Sequence, residues 1–179
     1  MKTVLNVGCG SAKIHHTFDG WAETRLDIDP AVKPDIVGDM LDLSVMDYDS
    51  YDAVYSSHTL EHLYYHEVPV ALSQFKWVLK PGGIVFIGVP NLKAVAWKVA
   101  CGNLEGVLYE SSYGPISAID CIYGYRKFLE GGNLHQAHKT GFTPSTLKKK
   151  LKTAGFVEIK VDTQNTDMWA SGVKSNGML

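Results

Sequence analysis

The stretch Val4–Gly10, V-L-N-V-G-C-G, decides the fold of this chain. Its aliphatic residues form a nearly continuous apolar run, which is typical of a buried parallel strand. Gly8 and Gly10 then leave out side chains where the backbone must turn sharply and a ligand must approach it closely. A second strand runs into acid at Leu26–Pro30, L-D-I-D-P. Together these features outline a βαβ unit that binds a nucleoside.

Composition predicts one globular domain over residues 1–179. The chain is 45% apolar and 20% charged, and its net charge of −2 provides no field that would attract nucleic acid or a membrane surface. Cys9, Cys101 and Cys121 show no paired spacing, which indicates a reducing compartment. No apolar run approaches the roughly 20 residues of a membrane span, and the first strand leaves no room for a signal peptide. We therefore expect a cytoplasmic protein with no nucleic-acid or membrane partner.

Apolar runs alternate with helical patterns, which favours an α/β fold with a parallel sheet. Strands are expected at Thr3–Val7, Thr24–Ile28, Asp35–Val37, Asp52–Ser56, Ile84–Val89, Phe156–Val161 and Met168–Val173. Residues 60–79 predict a helix that Pro69 breaks or restarts, and a second helix opens at Thr143 and ends at Gly155. Only residues 8–23 separate the first two strands, so the helix of that crossover must be short or nearly absent.

Residues 92–141 are irregular and read as an insertion or cap over the site, with helical patches near Lys93–Ala100 and Ser117–Leu129. The segment is rich in aromatic side chains next to Arg126 and Lys127. These aromatic residues are Trp97, Tyr109, Tyr113, Tyr123, Tyr125 and Phe128. They could cover a sugar or another flat ligand, or they could simply pack the cap onto the sheet.

The glycine turn departs from the dinucleotide pattern. Lys13 stands where a third glycine would be, and the following helix is short, so a pyrophosphate site is poorly made. A nucleoside cofactor without phosphates is favoured over NAD. At the end of the second strand, Asp27 can accept hydrogen bonds from both ribose hydroxyls, and Asp29, two residues on, is the alternative ribose ligand.

Several segments carry a resemblance that spans nearly the whole chain. They are L-N-V-G-C-G, R-L-D-I-D-P, V-G-D-M-L-D-L, Y-D-A-V-Y-S-S-H-T-L-E-H-L, V-L-K-P-G-G and H-K-T-G-F-T-P-S-T-L. In this order they resemble the class I S-adenosylmethionine-dependent methyltransferases, and more narrowly the small bacterial type 11 or type 12 group. The resemblance implies a Rossmann-like sheet, mostly parallel with an antiparallel last strand. It also implies S-adenosylmethionine as the cofactor and S-adenosylhomocysteine as the product.

The same resemblance assigns cofactor-binding residues. Gly8 and Gly10 are expected against the methionine and ribose portion, and Asp27 against the ribose. Asp39, with Met40 beside it, matches the position that contacts the edge of the adenine ring.

Two further positions follow from the resemblance. Ser56 and His58 are expected to line the cofactor and the entry to the substrate site. Asn6 stands where many members of the family carry an acid. An amide can donate or accept a hydrogen bond there, but it cannot neutralise the ammonium of the cofactor.

Histidines supply the candidate catalytic groups. His58, His135 and His138 could each act as a general base near the transferred methyl group, while the latter two could equally order a surface loop. His58, His62 and His66 are spaced i, i+4 and i+8, which on a continuous helix could bind a metal. His58 is expected in the loop after the fourth strand, however, and no metal is predicted.

The sequence therefore predicts methyl transfer, by in-line displacement, to a small-molecule or saccharide-precursor acceptor. The saccharide rests on the resemblance alone. A catalytically idle module that binds S-adenosylmethionine and senses it or supports a partner stays open, as does a small NAD-dependent enzyme. A homodimer is a further option.

Overall fold

A computed structural model describes residues 1–176. The strands are β1 Thr3–Val7, β2 Ala22–Asp27, β3 Ile36–Val37, β4 Tyr51–Ser57, β5 Leu79–Pro90, β6 Val107–Ser111, β7 Gly114–Ser117, β8 Phe156–Gln164 and β9 Asp167–Lys174. The helices are α1 Val68–Val78, α2 Leu92–Ala100, α3 Ala118–Tyr123, α4 Arg126–Glu130 and α5 Pro144–Thr153. No helix among these residues is both long and apolar enough to cross a membrane.

Seven strands form one sheet in the order β3-β2-β1-β4-β5-β9-β8. The first five are parallel to their neighbours, and β9 runs antiparallel to both β5 and β8. This confirms the Rossmann-like, mostly parallel sheet with an antiparallel last strand. The strand order reverses between β1 and β4, and parallel α/β sheets bind ligands beyond the carboxyl ends of the strands at such a reversal.

The main core lies on one face of the sheet, where α1 and α5 pack against the inward side chains of β1, β4 and β5. On the other face, Phe18 packs with Val4 and Tyr55. The connection between β1 and β2 contains only the one-turn 3-10 helix His16–Phe18, so the expected short crossover is confirmed. Phe18, which is buried, supplies the apolar contact that a longer crossover helix would otherwise make.

The predicted helix over residues 60–79 is wrong in its first half. Leu60–His62 is a single 3-10 turn, and α1 begins only at Val68, with Pro69 in its first turn. Proline lacks the amide hydrogen that a helix interior needs, whereas the first turn leaves its amides unpaired, so Pro69 marks a start. The segment before Val68, which was expected to be helical, can therefore face the carboxyl ends of the strands.

Residues 92–141, here named the cap, contain α2, the β6–β7 hairpin, α3 and α4. The helical patch predicted near Ser117–Leu129 consists of two short helices, because Gly124 separates α3 from α4 at a φ of 101°. A Cβ at Gly124 would overlap the carbonyl of Gln136, so this crossing of two chain segments requires glycine. The cap has its own small apolar cluster of buried residues, formed by Val95, Ile116, Ala118 and Cys121.

Candidate active site

The glycine turn follows β1 directly. The amides of Gly8 and Cys9 donate to the carbonyl of Leu26, 2.9 and 3.1 Å away, so the turn is tied to the end of β2. Gly8 has a φ of 68°, and a Cβ there would overlap the side chain of Thr59. Gly10 has a φ of 52°, but a Cβ there would meet no atom. The first glycine is thus required by packing as well as by conformation, and the second faces open space.

Asp27 organises this turn. One carboxylate oxygen accepts from the Gly10 amide at 2.8 Å, and the other accepts from the Asp29 amide at 3.0 Å. Each oxygen keeps a further lone pair, so the carboxylate can still accept from ribose hydroxyls. The Asp29 carboxylate instead accepts from the Ala31 amide at 2.8 Å and caps the 3-10 turn Pro30–Val32. Both acids line the same cavity, but Asp27 hydrogen-bonds to the glycine turn and Asp29 only caps its own turn among the described residues.

Asp39, Met40 and Asn6 line the same cavity. The Asp39 carboxylate accepts from the Leu41 amide at 2.9 Å, and Met40 packs against the edge of the core. Asn6 is buried, and its side-chain amide donates to Glu23 at 2.7 Å. A carboxylate therefore does lie beside the position where family members carry an acid, but it is supplied by β2.

Ser56 does not line the cavity, which corrects the prediction. Its side chain is fully buried, and its hydroxyl has no hydrogen-bond partner in the part of the chain that the structure describes. The next residue, Ser57, lines the cavity instead. Successive side chains of a strand point to opposite faces, so an error of one position moves the group from the site into the core.

One continuous cavity of about 730 Å³ joins the glycine turn to the cap. Its near end is formed by Gly8, Asp27 and Asp39, and its far end includes His58, Glu61, Tyr109, Cys121, His138 and Asp167. This volume lies in the range of pockets that hold small molecules. The side chains of the far end come from the turn after β4, from the cap and from β9, and the strand topology brings these segments together.

Glu61 is the most buried polar group of this far end, with 1% of its surface exposed. Among residues 1–176, neither carboxylate oxygen has a hydrogen-bond partner, and His58 Nδ1 lies 3.4 Å from Oε1. Burial acts to raise the pKa of Glu61, but the contact with His58, together with the positive charge that the neighbouring imidazoles carry when they are protonated, lowers that pKa to about 2. Glu61 is thus a buried carboxylate that is surrounded by imidazoles.

His138 reaches this group because the end of the cap is tied to Glu61. The amides of Lys139 and Thr140 donate to the Glu61 carbonyl at 2.8 and 3.1 Å. His138 Nδ1 lies 2.9 Å from the carbonyl of Cys121, so it carries the proton and leaves Nε2 with a free lone pair. Burial lowers the pKa of His138, which favours the neutral ring.

His62 lies between the two segments. Its Nδ1 is 3.2 Å from the carbonyl of Ala137, and its Nε2 is 3.1 Å from the carbonyl of His58. Its ring centroid is 5.0 Å from that of His138. The His62 and His138 rings and Glu61 therefore form one compact cluster.

The other predicted histidines take different places. His66 is exposed, and its ring stacks on Tyr64. Because residues 58–66 do not form one helix, His66 does not share a face with His58 and His62. His135 lies exposed on the 3-10 turn Leu134–Gln136 at the cavity rim. His58 has a φ of 51°, a left-handed conformation that few residues other than glycine adopt.

Several residues at the far end were not predicted as site residues. Burial raises the pKa of Cys121 to about 12 and also raises the pKa values of Tyr109 and Asp167. One carboxylate oxygen of Asp167 is buried and has no hydrogen-bond partner within residues 1–176. At this end of the cavity, Tyr109 had a sequence signal as one of the aromatic residues of the cap, and Glu61 had one as an acid between Leu60 and Leu63 in an apolar stretch.

A known family matches the first part of the chain. Residues 5–87 match the type 11 model of a family described as "Methyltransferase domain". These residues belong to that methyltransferase family. The expected class, a class I S-adenosylmethionine-dependent methyltransferase of the type 11 group, is confirmed. The matched part carries the glycine turn, the acids after β2 and β3, and Glu61. No curated protein matches the chain.

Solved structures support the fold of this methyltransferase. A S-adenosylmethionine-dependent methyltransferase from Archaeoglobus fulgidus is 17% identical, with a TM-score of 0.66, and the match covers 97% of this chain and 86% of that one. One from Thermotoga maritima is 14% identical, with a TM-score of 0.63 over 98% and 83% of the two chains. The 1,6-didemethyltoxoflavin-N1-methyltransferase of Burkholderia thailandensis, which holds its substrate and S-adenosylhomocysteine, is 15% identical, with a TM-score of 0.60 over 97% and 71%. S-adenosylmethionine is the cofactor of this class.

Proposed function

We propose that this methyltransferase moves the methyl group of S-adenosylmethionine to a small-molecule acceptor, with a saccharide precursor as the leading class. The observation that carries the proposal is the single cavity that joins the glycine turn to the cap. The cofactor occupies the end at Gly8, Asp27 and Asp39. The acceptor then occupies the far end, where His58 and His138 lie.

The chemistry asks little of the protein beyond alignment. The acceptor atom attacks the methyl carbon from the side opposite the sulfur, the carbon–sulfur bond breaks, and its electron pair stays on the sulfur of S-adenosylhomocysteine. Holding the two reactants in line can supply roughly 7–11 kcal/mol of such a barrier. A proton acceptor is needed only where the acceptor group must lose a proton, and His58, His138 and, at the rim, His135 are the candidates.

Aromatic side chains of the cap support a ring-shaped acceptor. Tyr109, Tyr113, Tyr125 and Phe128 line the cavity, and the Tyr113 hydroxyl lies 3.0 Å from the Ser11 hydroxyl beside the glycine turn. Such rings offer flat apolar faces with polar edges, which suit the faces of a sugar. The cap also encloses the far end, which favours a small acceptor over a macromolecule. The Burkholderia thailandensis neighbour, which binds 1,6-didemethyltoxoflavin, is consistent with that size.

A second candidate is a module that binds S-adenosylmethionine without turnover. Asn6 supports it, because an amide cannot neutralise the ammonium of the cofactor. Glu23, which accepts from Asn6, does not line the cavity, so it does not obviously replace the missing charge.

A turnover assay separates the two candidates. Purified protein is incubated with S-adenosylmethionine and a panel of sugars, sugar nucleotides, phenols and amines, and S-adenosylhomocysteine formation is measured. Transfer to a saccharide supports the full proposal, and transfer to another small molecule corrects only the acceptor class. Tight binding of S-adenosylhomocysteine by calorimetry, with no turnover over the whole panel, would establish the idle module. The cytoplasmic location, the single domain over residues 1–179 and the homodimer stay predictions.

A further inference from the structure

We infer that Glu61, His62 and His138 bind a divalent cation of the zinc type at the acceptor end of the cavity. Each residue offers one ligand atom, and these three atoms all lie within 4.8 Å of one another. Glu61 and His62 come from the turn after β4, and His138 comes from the end of the cap. The inference rests on the proposed function only for the role of the ion, not for its binding.

The buried carboxylate of Glu61, which has an ion-pair contact with His58 but accepts no hydrogen bond among the described residues, is the first reason. The side chain is buried, and neither oxygen accepts a hydrogen bond among the described residues. Buried charges in proteins are paired with an opposite charge or coordinate a metal, because water no longer solvates them. His58 Nδ1, at 3.4 Å from Oε1, is too far for a good hydrogen bond and leaves Oε2 without any contact of this kind.

The arrangement of the histidines is the second reason. His138 Nδ1 donates to the carbonyl of Cys121, which fixes the ring and leaves Nε2 unprotonated. Metal-binding histidines characteristically donate their second nitrogen to a carbonyl or carboxylate in this way. His62 can keep one ring nitrogen on a carbonyl, at Ala137 or at His58, and turn the other towards the ion.

The fit requires a small contraction. Ligand atoms around a tetrahedral ion with bonds of about 2.1 Å are about 3.4 Å apart. The separations between the three atoms, at most 4.8 Å, must therefore shorten by up to about 1.4 Å, which rotations of the two imidazoles can supply. Two imidazoles and one carboxylate suit Zn²⁺, Co²⁺ or Fe²⁺ better than Mg²⁺ or Ca²⁺, which prefer oxygen ligands.

Three protein ligands leave at least one position open, as in catalytic rather than structural zinc sites. All three residues line the cavity, so that position is available to the acceptor. An ion held there would lower the pKa of a hydroxyl group of the acceptor, so that the proton would pass to solvent more readily before the oxygen takes the methyl group from the sulfur. The site thus points to an oxygen acceptor.

The protein could instead neutralise Glu61 by itself. Both ring nitrogens of His62 already lie within hydrogen-bond distance of carbonyls, at Ala137 and His58, and the His58 ring can pair with the Glu61 carboxylate at 3.4 Å. In that case the cluster has no need of an ion, and it would bind Zn²⁺ only as weakly as scattered surface histidines do.

Cobalt titration of the chelator-treated protein tests the site. We expect stoichiometric binding of Co²⁺ with the visible absorption of a four- or five-coordinate ion, which Zn²⁺ displaces. Glu61→Gln and His138→Ala should each weaken Zn²⁺ binding at least tenfold, whereas His66→Ala, which removes an exposed histidine outside the cluster, should leave it unchanged. Equal Zn²⁺ affinity in wild type and His138→Ala, or no visible Co²⁺ band in the wild type, would overturn the inference.

Two controls keep the result interpretable. Circular dichroism checks that Glu61→Gln is folded, and His138→Ala decides alone if it is not, since His138 is only half-buried. S-adenosylhomocysteine binding and turnover are measured on the same preparations. Metal binding without turnover would contradict the proposed function and leave the site standing, whereas chelator-insensitive turnover without metal binding would contradict the site alone.

Discussion

At the end of β2 two carboxylates, two positions apart, have different geometry. Asp27 accepts from the amides of Gly10 and Asp29 and so joins the glycine turn to the strand end. Asp29 accepts only from Ala31, within its own turn. The sequence offered Asp27 and Asp29 as alternative ribose ligands. These hydrogen bonds favour Asp27, because it lies against the glycine turn.

Asp27→Ala is predicted to weaken S-adenosylhomocysteine binding more than tenfold, which corresponds to about 1.4 kcal/mol. The substitution removes the acceptor for the ribose hydroxyls and also frees the Gly10 amide. Asp29→Ala, the matched control, should change the affinity less than threefold. Isothermal titration calorimetry measures both, and a larger loss in Asp29→Ala would transfer the ribose role to Asp29.

The cofactor end could be read from the sequence because its parts are local. Gly8, Gly10 and Asp27 each stand at the end of a recognisable strand, and parallel strands bring such ends together. The sequence offered His58 and His138 as candidate bases, but it could not place His138 beside Glu61, because the two meet through amide hydrogen bonds from the end of the cap. The prediction for Ser56 was wrong by a single position, and because side chains alternate along a strand, that error moves the side chain to the opposite face of the sheet.

Among the elements, the turn after β4 departs most from the sequence prediction. Spacing of four residues indicates one helical face only if the helix is continuous. His58 adopts a left-handed conformation and Leu63 is extended, so the helix cannot begin before Val68. Because the helix is interrupted, His66 lies apart from His62 and His138, and the Glu61 side chain is buried at the far end of the cavity.

The first turn of α3 anchors the cap. Asp120 is buried, accepts from Ser117 in a capping box, and accepts from Arg126 Nε at 2.8 Å. Burial acts to raise its pKa, but these hydrogen bonds dominate and hold the pKa at about 2, below the ordinary 3.8. A carboxyl with a lowered folded-state pKa stabilises the fold above its unfolded pKa and loses that contribution as pH falls.

Asp120→Asn is therefore predicted to lower the free energy of unfolding by about 2 kcal/mol at pH 7. The difference between wild type and variant should shrink as the pH falls from about 4 towards 2. Urea unfolding at several pH values measures it. Glu130→Gln makes the same charge change at an exposed site in α4 and should have little effect; a difference for Asp120→Asn that does not vary with pH would contradict the assignment.

For the whole molecule, the cavity depends on two units that are distant in sequence. The sheet supplies the glycine turn and the acids, and the cap closes the far end. A nucleoside cofactor fits the near end without phosphate contacts, because the connection after Gly10 contains only the three-residue turn His16–Phe18. NAD would require a helix N-terminus at that place for its pyrophosphate.

Thermal unfolding distinguishes the two cofactors. S-adenosylhomocysteine at about 100 times its dissociation constant should stabilise the fold by about 2.7 kcal/mol, which for a chain of this size raises Tm by about 5–11 °C. The same concentration of NAD should not shift Tm, because neither a third glycine nor a helix N-terminus receives its phosphates. In Asp27→Ala the shift with S-adenosylhomocysteine should fall by about half, since a tenfold loss of affinity removes about 1.4 kcal/mol. A shift with NAD equal to that with S-adenosylhomocysteine would mean that the glycine turn binds phosphates despite Lys13, and the assignment of the near end would then be wrong.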